Sequence, residues 1–151
     1  MERPVPVIRR ALRSAIACLL LALSLGALAA EPQLVIVTSA SSKLGGLTAV
    51  EVRRLYLGIP VIVDGHEVTP VLNIAESALQ EVFLQHVVFM SAQAYERNIA
   101  ARVFRGGGTR IREYANLSQL LESLTNEPWS VTYMSPGVAA SLPGIKVIAR
   151  L

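Results

Sequence analysis

The stretch Leu34-Val35-Ile36-Val37-Thr38, running into Ser39-Ala40-Ser41-Ser42-Lys43, decides how this chain is read. Its first part is a continuous apolar and β-branched run bounded by Pro32 and a serine cluster, with no polar side to turn toward water. That is the pattern of a strand covered on both faces, and it predicts a central strand of a layered domain. The serine- and glycine-rich residues 39–47 that follow read as a loop.

Working outward, extended and helical patterns alternate. Thr48 with Glu51 predicts a capping box opening a short helix with Val50, Leu55 and Leu57 as its apolar positions, stopped by Gly58 and Pro60. Residues 61–63 and 67–72 flank Asp64-Gly65, the dipeptide of a tight turn, and predict a hairpin or a turn between short extended pieces. Ser77 with Gln80 makes a second capping-box pattern. Leu79, Val82, Phe83, His86 and Val87 follow at helical spacing, which predicts a helix over 77–89 with His86 half-buried. Ser91 can cap a further helix through Tyr95, Ile99 and Val103 to the Gly106-Gly107-Gly108 break, and Asn116 with Gln119 opens the last one, lined by Leu117, Leu120, Leu121 and Leu124. Residues 130–134 and 145–149 close the chain as strands. The alternation predicts an α/β fold: a single layered domain with a mostly parallel central sheet flanked by helices.

The other end of the chain reads differently. Arg3, Arg9, Arg10 and Arg13 against Glu2 account for the whole formal charge of +3, so the remainder is formally neutral and offers no basic surface for nucleic acid. These arginines precede an apolar run over 15–25 and the small-residue site Ala27-Leu28-Ala29, the layout of a cleaved signal peptide over residues 1–30. The expectation is export to the periplasm or beyond, with no stable membrane insertion after cleavage. The single cysteine, Cys18, lies inside that run, so residues 31–151 carry none, and disulfides, thiolate catalysis and cysteine metal sites are excluded there.

Chemistry-bearing residues are sparse. The hydroxyls of Thr38, Ser39, Ser41 and Ser42, with the charge of Lys43, can line a ligand crevice at a strand end or can be an ordinary solvated turn. Ser77 can donate to an anion at a helix N-terminus, although serine is among the commonest caps of its own helix and Glu76 beside it repels anions. Gly106-Gly107-Gly108-Thr109-Arg110 lacks the Gly-Lys-Ser/Thr ending of a phosphate loop and follows a helix, so it reads as a helix stop. Arg102, Arg105, Arg110 and Arg112 read as a solvated face or a local basic patch. His66 beside Asp64 and Glu67 sits in a turn too tight for the three to converge on a metal. No nucleophile elbow or paired carboxylate recommends catalysis, so no catalytic residue, metal or cofactor is expected and the chain reads as a non-enzyme.

The order of the pieces resembles a known family. Leu55-Tyr56-Leu57-Gly58, then Asp64-Gly65, Val68-Thr69-Pro70-Val71, Phe83, and Asn126-Glu127-Pro128 before Ser130-Val131-Thr132-Tyr133-Met134 are similar, in this order, to periplasmic phosphate-binding proteins, the type 2 solute-binding proteins of phosphate ABC importers. The resemblance spans 34–151 and implies a short single-domain relative equivalent to one lobe. The family pattern has an Arg four residues before a Ser-Gly-Thr at this helix start, with a Phe six residues after the Ser. Aligned on Phe83, these fall on Asn73, on Ser77-Ala78-Leu79 and on Phe83, so Ser77 alone keeps its type among the anion-binding side chains.

What the resemblance implies is an exported solute-binding-like protein. It would bind phosphate or another small anion for an ABC importer or a sensor, through Thr38, Ser39, Ser41, Ser42, Asn73 and Ser77, and would meet a permease. The alternative is a periplasmic interaction module that keeps the fold, has no transport ligand and docks to an envelope protein. A single lobe cannot close over a ligand and exclude water, which favours the second; the family resemblance favours the first, and the solute-binding reading is the expectation carried forward.

Overall fold

Leu34 to Thr38 are all buried, and they form most of the strand on which the sheet is built. A computed structural model describes residues 33–106 and 108–151; the expected signal peptide and Cys18 lie outside the described residues. In chain order the elements are β1 (Val35–Ser39), α1 (Ala49–Tyr56), β2 (Ile62–Val63), β3 (His66–Glu67), β4 (Thr69–Asn73), α2 (Ser77–Phe83), a wide π-type turn (Leu84–Val88), α3 (Ala92–Phe104), β5 (Arg112–Tyr114), α4 (Leu117–Asn126), β6 (Ser130–Met134), α5 (Pro136–Ser141) and β7 (Ile145–Arg150).

The main sheet has the order β5-β4-β6-β1-β7. β4 runs parallel to β5 and to β6, whereas β1 is antiparallel to both β6 and β7, so four strands share one direction and β1 opposes them. This is the expected mostly parallel sheet, with one consequential reversal. The described residues form one compact unit.

Side chains alternate across β1 as a two-faced strand requires. Leu34 and Ile36 join Tyr56, Phe83, Leu84, Tyr95 and Tyr133 on one face, and Val35 and Val37 join Leu120, Leu124, Met134 and Ala139 on the other. The first face holds an aromatic cluster. Phe83 stacks on Tyr133 with centroids 4.1 Å apart and meets Tyr56 edge-on at 4.6 Å. Each buried tyrosine places its hydroxyl on a backbone carbonyl: Tyr56 on Val71, Tyr95 on Tyr56 and Tyr133 on Asn73, all at 2.9 Å. These bonds satisfy groups that would otherwise be costly to bury.

The local signals held at most helix starts. Thr48 and Glu51 form the reciprocal capping box, Ser91 accepts from Ala94 N, and Asn116 accepts from Ser118 and Gln119 N. Asp64 and Gly65 both take positive φ, 51° and 79°, as the two-residue turn between β2 and β3 demands.

Three expectations are corrected. Val50 is exposed, and Val52 and Tyr56 join the expected Leu55 in burying the inner face of α1. Ser77 does not cap its helix: the cap position is Glu76, and α2 has no side-chain cap. The helix widens to π geometry after Phe83, which shifts the buried set to Leu84, Val87 and Val88 and leaves His86 exposed. It ends with Phe89 in the left-handed region at φ 61°.

Candidate functional site

The reversal of β1 separates the residues expected to form one anion site. Pairing of Val35 with Met134 and of Val37 with Thr132 sends the carboxyl end of β1 toward Ser130, where Thr38 Oγ1 donates to Ser130 O at 2.8 Å. β4 runs the other way, pairing Thr69 with Ser130, so its carboxyl end at Asn73 lies beside the Met134 end of β6. At about 3.3 Å per residue, the length of β6 puts roughly 13 Å of strand between the two ends. Thr38, Ser39, Ser41 and Ser42 therefore sit at one end of the sheet, and Asn73 and Ser77 at the other.

At the first end the hydroxyls are engaged within the chain. Ser39 and Ser41 share a hydrogen bond of 2.8 Å between their hydroxyls, and Ser41 N donates to Ser39 Oγ at 3.3 Å. Ser42 Oγ accepts from Leu44 N at 3.1 Å, while Lys146 Nζ donates to Ser42 O at 2.6 Å. These bonds fold the loop over its own polar groups in the manner of serine turns.

The second end lies at the carboxyl ends of the parallel strands β4, β5 and β6, where open α/β sheets usually form a ligand crevice. Asn73 is fully buried there. Its Oδ1 accepts from Ala75 N at 3.1 Å, and its Nδ2 donates to Tyr133 O at 3.1 Å and to Glu76 Oε2 at 3.0 Å. Ser77 is exposed on the first turn of the seven-residue α2.

Glu76 fills the space between them. Besides Asn73, its carboxylate accepts from Ser135 Oγ at 2.5 Å and Ser135 N at 3.3 Å. Ser135 is the cap residue of α5, with Pro136 at the first helical position, and its hydroxyl makes no bond to its own helix. The donors at this crevice, one amide, one hydroxyl and one backbone N–H, converge on a carboxylate that belongs to the chain. Sequence reasoning treated Glu76 only as a repulsive neighbour and missed Ser135, although Ser-Pro is a legible helix-start signal.

A second concavity lies at the opposite end of the sheet, by the starts of β4 and β5. It encloses about 520 Å³ and is lined by Arg102, Arg110 and Arg112, with Gly58 and Gly108 at its edges. Arg110 pairs with Glu96 at 2.6 Å, and Arg112 donates to Glu127 through both of its terminal nitrogens, Nη1 and Nη2. The Glu127 hydrogen bonds hold the Arg112 guanidinium above its ordinary range and keep the Glu127 carboxyl below the usual carboxylate range. His66 stacks on Trp129 with ring centroids 4.3 Å apart, fixing the β2–β3 turn to the segment that leads into β6. No group of metal-ligating side chains gathers among the described residues, and no helix among them is long and apolar enough to cross a membrane.

No protein-family profile matches the chain. No curated protein matches it either. Among solved structures, it is similar to an ABC-type phosphate transport receptor from Vibrio cholerae at 14% identity and a TM-score of 0.44; the match covers 76% of this chain and 44% of the receptor chain.

Proposed function

We propose that this chain is an envelope interaction module: an exported domain with the architecture of one solute-binding lobe that docks to another envelope protein and takes no transport ligand at its strand-end crevice. The observation that carries this reading is Glu76. A carboxylate held by three donors from Asn73 and Ser135 takes up the hydrogen-bond donors that an anion at this strand end would need. An incoming phosphate would have to displace it and share a crevice with its charge, which costs far more than an exposed pair returns.

The module reading is also supported by what faces solvent. Phe104, at the end of α3, is 92% exposed and Phe89 is 67% exposed, with the Arg53 guanidinium 5.1 Å from the centre of the Phe89 ring. Large apolar side chains held in solvent are the kind of residue an interface core uses.

Two measurements test the reading. In an NMR titration with inorganic phosphate, the amides of Asn73, Ser77 and Ser135 stay in place. In cells, a photo-crosslinking residue at position 104 gives a discrete adduct that Phe89→Ser weakens, whereas one at position 122 does not. Saturable phosphate shifts at Asn73 and Ser135 would instead restore the solute-binding reading.

A further inference from the structure

The concavity by the starts of β4 and β5 offers the chemistry that the strand-end crevice has used up. Its volume of about 520 Å³ lies within the range of small-molecule sites. Arg110 and Arg112 are steered by Glu96 and Glu127 in solvent-exposed pairs, which orient the guanidiniums while leaving each with unused N–H donors.

Arg102 is held differently. Its side chain passes between two glycines, so that a Cβ on Gly58 would lie 2.8 Å from its Nε and one on Gly108 would lie 3.1 Å away. Gly58 also takes φ +72°, where side chains are strained. One nitrogen, Nη1, donates to Leu57 O at 3.1 Å, and Arg102 forms no ion pair among the described residues. A guanidinium clamped by backbone on both sides, with most of its fork unspent, is prepared for a planar anion.

The walls add a second requirement. Ile59, Val68 and Ile111 line the same space, and Glu67 is its one carboxylate. Inorganic phosphate would leave these apolar surfaces uncovered. A carboxylate carried on an aromatic or branched body would cover them while its head meets Arg102.

We infer that this cleft binds a small organic carboxylate with an apolar body, anchored by Arg102 and with Arg110 and Arg112 placed to meet a second acidic group. The site is separate from the Glu76 crevice and does not depend on what that crevice does.

The experiment is an NMR titration of the full chain with phthalate, benzoate and inorganic phosphate up to about 20 mM, where a Kd near 1 mM saturates. The expected result is saturable shifts at Gly58, Gly108 and Thr109, tightest for phthalate and weakest for phosphate, with Asn73 and Ser135 unmoved. Arg102→Gln is expected to weaken phthalate at least about tenfold, the loss of one charge-assisted contact. Arg102→Lys, which keeps charge but not the fork, is expected to weaken it by a similar factor with an unchanged thermal midpoint. Should Arg102→Gln fail to fold, Gly108→Ala serves instead, since its added methyl, 3.1 Å from Arg102 Nε, crowds the side chain where it is held. Absence of saturable phthalate shifts in the wild type, or equal affinity in the Arg102 variants, would overturn the assignment.

Discussion

Asn73 and Tyr133 exchange hydrogen bonds across β4 and β6: Asn73 Nδ2 donates to Tyr133 O at 3.1 Å, and Tyr133 OH returns a bond of 2.9 Å to Asn73 O. Both side chains are fully buried, so neither has water to fall back on. The pair pins the carboxyl end of β4 to β6 and presents the remaining Asn73 donor to Glu76. Asn73 is thus a structural joint whose side chain is spent before any ligand arrives.

Asn73→Ala is therefore expected to lower stability by about 2–3 kcal/mol, because it leaves Tyr133 O and the Glu76 carboxylate each short of a buried donor. Urea unfolding measures this without a ligand. If Asn73 served mainly to hold an anion, the loss would be small and would appear only with phosphate present.

The starts of α1, α3 and α4 were legible in the sequence because capping is settled within three or four residues, as Thr48 with Glu51 and Asn116 with Gln119 illustrate. The identity of β1 was legible for a similar reason, since a strand buried on both faces shows itself in one short run. Its direction was not. Pairing of Thr38 with Ser130 spans 92 residues, and nothing near residue 38 records whether its neighbour runs up or down. The reversal of β1 puts the two halves of the expected site at opposite ends of the sheet. Glu76 was hidden in the same way, because its partner Ser135 lies 59 residues ahead in the chain. The short β5, Arg-Glu-Tyr, has no apolar alternation to betray it.

Acid should loosen the chain through carboxylates that are better held in the fold than out of it. Backbone and side-chain hydrogen bonds from Thr48 keep the Glu51 carboxyl below the ordinary range, and Arg112 does the same for Glu127. A lowered folded pKa means stabilisation that is present above the ordinary carboxylate range and is lost as pH falls through the lowered value. The urea midpoint should therefore drop below about pH 4, modestly, since both groups are exposed and screened by salt. Thr48→Ala should cost about 1 kcal/mol at neutral pH and blunt the Glu51 part of the acid response.

Alkali should act on the aromatic cluster. Burial pushes the hydroxyls of Tyr56, Tyr95 and Tyr133 well above the ordinary phenol range, and neighbouring charge raises them further. Raised folded values mean that these groups cost nothing below about pH 10, where both states are protonated, and that stability falls above it as only the unfolded chain ionises. Each tyrosine contributes a slope of about 1.4 kcal/mol per pH unit, about 4 kcal/mol per unit for the three. Unfolding should accordingly coincide with phenolate absorbance rather than follow it, and Tyr95→Phe should flatten the pH dependence by about a third.

Ser123 supplies the last test, since its residue is buried on α4 and its hydroxyl has no hydrogen-bond partner among the described residues. It sits among Leu120, Leu124 and the second face of the sheet, where a lone hydroxyl has lost water without gaining an acceptor. Leaving such a group unsatisfied costs about 1–3 kcal/mol, and alanine is also the better helix former by a few tenths of a kcal/mol. The space vacated is a single oxygen, so the cavity cost is small. Ser123→Ala is expected to raise stability by about 0.5–2 kcal/mol in urea unfolding. The control is Ser130→Ala, whose hydroxyl donates to Glu127 O at 2.6 Å; losing that bond should destabilise by about 1 kcal/mol. A loss of stability in Ser123→Ala comparable to the control would mean that the hydroxyl has an acceptor after all and would refute its reading as an unsatisfied group.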